Sequence, residues 1–117
     1  MNVDEAVLHH SLGLMLVRGG QRDAALLELQ TAAGLQPDES RFVYVYAVAL
    51  HSLDRPDEAV ALLQDATERF PTDFDMHWAL ATILRDQGRL EEATEVATTL
   101  SEFYPQVEAV QNLLQSL

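Results

Sequence analysis

Residues 40–73 read SRFVYVYAVALHSLDRPDEAVALLQDATERFPTD, and the fold turns on how they are read. Taken alone, Phe42-Val43-Tyr44-Val45-Tyr46-Ala47-Val48 is rich in β-branched and aromatic residues, a composition that favours a strand. The surrounding sequence overrides that local preference. Pro37, Pro71 and Pro105 stand 34 residues apart, and each has an alanine twelve residues before it: Ala25, Ala59 and Ala93. Five residues before each alanine comes a turn former, Gly20, Asp54 or Gly88. The same period cuts the chain at 6–39, 40–73 and 74–107 and leaves a tail to Leu117. A self-similarity of this length marks a stacked array of helix–turn–helix units. Residues 42–48 are therefore expected to be helical, since a helix enclosed by neighbours on several sides can be apolar nearly all round.

Apolar spacing fills in the units. In the first, His9, Leu12, Gly13 and Leu16 form one helical stripe. Gly19-Gly20 turns the chain into a second helix from about Arg22 to Ala33, with Ala25, Leu26, Leu29 and Ala32–Ala33 inward. Pro37 then blocks continuation. The second unit repeats the pattern with Val43, Tyr46, Ala47 and Leu50, then Ala59, Leu62, Leu63 and Ala66. Its second helix opens on Pro56, where a missing N–H costs nothing, and Asp57-Glu58 complement the dipole. The third has His77, Leu80, Ala81 and Leu84, then Ala93, Val96, Ala97 and Leu100. Gly13, Ala47 and Ala81 are small at one place in each unit, so paired helices approach closely there. In the tail, Val107, Val110, Leu113, Leu114 and Leu117 make a stripe, which predicts a capping helix over 106–117.

Composition narrows the function. The chain has no cysteine, so it holds no disulfide framework and no haem-attachment motif. It has no lysine, and its net charge of −12 argues against a nucleic-acid surface. Its apolar stretches, Leu12–Val17 and Phe42–Leu50, are too short to span a bilayer, and the acidic start, Met1 to Glu5, leads into no signal-peptide pattern. A soluble chain, cytoplasmic by default, is expected.

The repeated residues resemble the tetratricopeptide repeat (TPR) family over 6–107. The signature's first four slots hold His9-Leu12-Gly13-Leu16, Val43-Tyr46-Ala47-Leu50 and His77-Leu80-Ala81-Leu84. The last four hold Ala25-Leu29-Ala32-Pro37, Ala59-Leu63-Ala66-Pro71 and Ala93-Ala97-Leu100-Pro105. The third copy departs from the pattern at Ala97 and Leu100, read as a volume-conserving exchange within one core layer. The resemblance implies an all-α fold, an α-solenoid of three repeats in a single domain over 1–117. It also implies a concave groove lined by the first helix of each unit. Carried onto this chain, that groove comprises His10, Leu14, Arg18, Arg41, Tyr44, Val48, His51, Trp78, Thr82 and Arg85, with Val7, Val17, Ser52, Asp75 and Asp86 beside them. Three Arg against two Asp give the groove a positive balance on an acidic chain. Trp, Tyr and Arg are the residue types enriched in binding hot spots. A subset of the family holds chaperone tails in a clamp of Lys, Asn and Arg. The corresponding positions here are His10, Leu14, Val45, Asp75 and Ala79, and the clamp's donors are missing. The segment Arg41–Leu50 is also similar to repeat modules appended to larger bacterial proteins, some of them multihaem cytochromes.

The expected function follows: a non-catalytic module that binds a protein or peptide segment of apolar and acidic character. His9 and His10 point about 100° apart on a helix and cannot share one metal ion, and His9 and His77 sit in core slots. His10 and His51 are read first as groove contacts sensitive to pH, and a metal- or pH-linked site at the pair, to be checked by zinc titration with His51→Ala as control, is the third reading. No catalytic constellation, phosphate-cradling loop or cofactor motif stands out. The alternative function lies at the N-terminal edge. The first helix is apolar nearly all round, whereas a terminal repeat needs a polar outer face. That edge is expected to be covered by preceding repeats, by another domain, or by a second copy in a homodimer.

Overall fold

The first turn already shows how the repeat closes. Helix α1 (Val3–Arg18) ends in a Schellman motif: the Gln21 N–H donates to the Leu16 carbonyl at 2.9 Å and the Gly20 N–H to Val17 at 3.1 Å. This geometry needs a left-handed residue between them, and Gly20 supplies φ 76°. The next two units repeat the device, with Arg55 N–H to Leu50 at 2.8 Å and Arg89 N–H to Leu84 at 2.9 Å. There Asp54 at φ 67° and Gly88 at φ 77° hold the left-handed place. Aspartate is one of the few side chains that tolerates it.

The structure, a computed structural model, describes residues 3–117, with side chains from Asp4 onward. Met1 and Asn2, the first residues of the expected 1–117 domain and of its acidic start, lie outside the described residues. After α1 come α2 (Arg22–Leu35), α3 (Ser40–Ser52), α4 (Pro56–Arg69), α5 (Phe74–Asp86), α6 (Leu90–Phe103) and α7 (Glu108–Gln115). The fold is an all-α helical repeat, with no strand among the described residues. Residues 42–48 are helical within α3, so repeat register outweighs β-propensity there. The chain divides into two compact units between Ala59 and Val60.

In the first unit α1 packs on α2, and α2 on α3. Gly13 brings the first pair together: a Cβ there would lie 2.7 Å from Leu29 Cγ and Cδ2 and 3.3 Å from the Ala25 carbonyl oxygen. Ala25 and Leu29 are fully buried. Ala6, Ala32 and Phe42 form a core cluster edged by Ala33 and Leu35. In the second unit α5 packs on α6 and α6 on α7. Asp73 caps α5, its carboxylate accepting the Met76 N–H at 3.0 Å. Ala81, Ala97 and Leu113 form the cluster under α7, with Trp78, Val96, Leu114 and Leu117 packed around them. This explains the third copy's departure from the pattern. Ala97 stands in the slot that Leu29 and Leu63 fill elsewhere, and Leu113 of the capping helix packs against it.

Candidate interaction surfaces

On the first unit, α1 and α3 splay apart enough to leave a cleft of about 170 Å³. Leu14 and Val17 line it from α1, and Tyr44, Val45, Val48, Ala49 and Ser52 from α3. The spacing of these residues explains the cleft: Leu14 and Val17 are three apart, and Tyr44, Val48 and Ser52 four apart, so each set shares one helix face. Almost the whole lining is apolar, and most of it is only half-buried. Arg18 follows Leu14 by one helical turn, and Arg41 precedes Val45 by one.

These two cations differ from most others in the chain. Arg55 pairs with Glu58 at 2.8 Å, Arg69 with Asp65 at 3.2 Å, Arg85 with Asp86 at 3.2 Å, and Arg89 with Glu92 at 2.7 Å. The Arg89 hydrogen bonds hold the Glu92 carboxyl below its ordinary range. Among the described residues Arg18 and Arg41 join no ion pair and are exposed. A second depression of about 240 Å³ lies where Asp23, Leu27 and Gln30 of α2 meet Tyr46, Arg55 and Glu58. It is larger, but its principal charges already satisfy each other through Arg55 and Glu58. Burial raises the Tyr46 hydroxyl pKa there, so it stays a neutral phenol.

His10 belongs to this unit but not to an open surface. It is buried, its ring 4.7 Å from Phe42, and its Nδ1 has no hydrogen-bond partner. Burial, and then the Arg41 charge, lower its pKa from the ordinary value. The sign follows: the unfolded chain takes up a proton more readily than the folded one. Stability is therefore complete above the ordinary histidine pKa near 6.5 and is lost as pH falls towards the lower folded value. Thermal melts between pH 8 and 5 are expected to show this acid-side loss, and His10→Phe to reduce it; an unchanged slope would rule out His10 as its source. His51, by contrast, is exposed. His9 donates from Nδ1 to the Glu28 carboxylate, and His77 is buried with Nδ1 donating to the Asp73 carbonyl at 2.7 Å. Among the described residues no three His, Asp or Glu side chains gather where they could hold a metal ion.

In the second unit the singled-out residues are more committed to their own helices. Trp78 is half-buried, stacked on Phe74 at 5.9 Å and 12°, and packed on the cluster under α7. Phe74 meets Tyr104 edge-on at 5.2 Å, and the Tyr104 hydroxyl donates to the Thr72 carbonyl at 2.5 Å. The Thr82 hydroxyl donates to the carbonyls of Trp78 and Ala79. The aromatic platform of Phe74 and Tyr104 was not visible from repeat slots, although three aromatics within one unit were a signal for it.

Tetratricopeptide repeat profiles match residues 10–73 and, again, residues 54–117, each more than half of the chain. The chain belongs to the tetratricopeptide repeat family. A TPR repeat-containing protein of Pseudomonas aeruginosa is 46% identical over 59 residues, half of this chain, and the match spans 23% of that protein's length. Among solved structures, the first TPR of Spaghetti (RPAP3), bound to an HSP90 peptide, superposes with a TM-score of 0.80 at 16% identity. That match covers 99% of this chain and 94% of the other. The type III secretion translocator chaperone SycD of Yersinia enterocolitica gives 0.80 at 18% identity, covering 97% and 91%. MamA from Desulfovibrio magneticus gives 0.80 at 21%, covering 95% of this chain but 63% of its own. At these identities the likeness is one of fold. Tetratricopeptide repeats are in general protein–protein interaction modules and non-catalytic. No helix among the described residues is long and apolar enough to cross a membrane.

Proposed function

We propose that this tetratricopeptide repeat chain binds a protein or peptide segment in the α1–α3 cleft, taking an apolar side chain flanked by carboxylates. The single observation that carries the reading is an apolar cleft bordered, in sequence register, by Arg18 and Arg41, two exposed cations without a partner among the described residues. Leu14, Tyr44 and Val48 contribute the apolar contact, with Val17, Val45 and Ala49. In repeat register the same face of α5 carries Trp78, Thr82 and Arg85. His10 is buried against Phe42 in the same unit, and the exposed His51 adjoins Ser52 in sequence. The chaperone-tail clamp is not the mode: Leu14 and Val45 stand at two of its positions, and the chain contains no lysine.

Peptide selection on phage, followed by fluorescence anisotropy, tests this. The enriched segments are expected to combine a large apolar residue with neighbouring Asp or Glu. Val48→Asp should weaken their binding by more than tenfold by placing a charge in the apolar lining. Arg18→Glu with Arg41→Glu should weaken it about tenfold and remove most of its dependence on salt. Peptides that bind equally well to the Val48→Asp protein would overturn the assignment.

A second reading rests on a different face. Leu8, Leu12 and Met15 form an exposed stripe on α1, away from the cleft. By this reading the outer face of α1 docks the chain onto another protein surface.

A further inference from the structure

The stripe Leu8-Leu12-Met15 is exposed to an unusual degree, with Leu8 at 70% and Met15 at 63%. The repeat itself shows how unusual this is. One repeat later the equivalent positions are Phe42, Tyr46 and Ala49, of which Phe42 and Ala49 are buried and Tyr46 half-buried. Two repeats later they are Met76, Leu80 and Ile83, all buried. The fold therefore buries this face in the other two repeats and leaves it exposed on α1. In the second unit α7 carries Ala109, Asn112 and Gln115 outward and buries Val110 and Leu113.

The charges along α1 indicate what covers the stripe. Asp4 and Glu5 occupy the first turn and Arg18 the last. Two pairs of residues along α1 are symmetric about the point between Ser11 and Leu12. Leu8 mirrors Met15 across that point, and Glu5 mirrors Arg18, with Asp4 one residue further out. Two such helices laid antiparallel bring apolar residues together at the centre and opposite charges together at both ends. Each cluster lies about 10 Å from the two-fold axis at 1.5 Å rise per residue. An isologous contact of this kind needs a self-complementary patch, and this patch is one.

We infer that a second copy of this chain covers the stripe, the two α1 helices pairing antiparallel with Arg18 of each facing Asp4 and Glu5 of its partner. This inference rests on the second reading above, that the outer face of α1 is a docking surface, and goes further by naming the occupant. The pairing leaves the apolar α1 lining of the cleft, Leu14 and Val17, uncovered but draws Arg18 away from it, so the stripe variant Leu8→Glu/Met15→Glu, which keeps Arg18, is the one that separates the two readings. A helix of 16 residues is about 24 Å long, and one pair of that length buries less than the roughly 1,200 Å² at which stable interfaces begin. The dimer is therefore weak and concentration-dependent.

Sedimentation velocity on the full chain, from low micromolar to several hundred micromolar, is the test. Wild type is expected to shift from monomer towards dimer over that range, and Leu8→Glu/Met15→Glu to remain monomeric with an unchanged circular dichroism spectrum. Arg18→Glu alone, and Asp4→Arg/Glu5→Arg alone, should each weaken self-association about tenfold. Mixed in equal amounts, those two variants should form a heterodimer at least as readily as wild type dimerises, because every end-to-end charge contact is then attractive. A wild type that stays monomeric throughout overturns the pairing, as does a dimer untouched by the stripe or charge variants. The docking reading fails separately: it falls only if Leu8→Glu/Met15→Glu also leaves retention of every protein from source lysate unchanged.

Discussion

Gly13→Val and Leu29→Ala are opposite in volume and meet at one contact, and each is expected to destabilise the chain by about 3 kcal/mol. For Gly13→Val the cause is overpacking. Any Cβ at position 13 falls within 2.7 Å of Leu29, and the atoms it meets include Cγ, near the root of a fully buried side chain, not only its flexible tip. A second branched carbon forces α1 away from α2. Replacing glycine in a helix interior returns only about 0.5 kcal/mol in propensity. Gly13→Ala brings the same Cβ to 2.7 Å from Leu29 and should also destabilise, by less than valine because it adds no branched carbons and gains more in helix propensity. For Leu29→Ala the cause is a cavity at a site with no exposed surface. The decisive measurement is the double variant. Gly13→Val/Leu29→Ala lets the valine occupy the space the leucine leaves, so the two losses should fall short of additive by at least 1 kcal/mol. In a chain of this size each single change should lower Tm by roughly 10 °C. Additive losses would mean that the two residues do not share the contact on which the α1–α2 separation depends.

Much of this architecture was legible because the repeat states it three times. The prolines, the alanine before each and the turn residue before that are local requirements, and the structure satisfies them locally. Gly20, Asp54 and Gly88 adopt the left-handed conformation in three matching Schellman motifs. The same redundancy decided α3, whose VYVYAV run has strand propensity on its own and helical register in context.

The surfaces were less legible, and His10 and Trp78 show why. A helical position fixes the direction of a side chain around its axis, but not whether a neighbouring element reaches it. His10 shares a stripe with Leu14, yet the Phe42 ring closes over it, leaving Nδ1 buried without a partner. Trp78 sits one residue from a core slot, and nothing in the 34-residue period announces that Phe74 stacks on it or that α7 packs beside it. Pairing of charges is similarly hidden. Arg85 and Arg41 look equivalent as groove cations, but Arg85 has Asp86 next to it and Arg41 has no such neighbour.

The capping helix is the other point of large effect. Leu113→Asp is expected to cost about 4 kcal/mol by placing an unpaired carboxylate among Ala81, Ala97, Trp78 and Val96. Leu113 is 4% exposed, and none of the residues in its cluster can accept or neutralise that charge except through the Trp78 indole N–H. Because α7 has only eight residues, it cannot persist as a helix once its apolar face is displaced. Hydrogen exchange should therefore show α7 amides losing nearly all protection, followed by those of α6, before α5 changes. That order follows from an array whose helices are stabilised by their immediate neighbours. The loss should deepen as pH rises, since the introduced carboxylate is tolerated only when protonated. Leu113→Asn supplies the control, with a polar group of similar size but no charge, and should cost less and show no such pH dependence. Uniform loss of protection across α5, α6 and α7 at once would instead show that the second unit opens as a single block, with α7 as an integral part of its core.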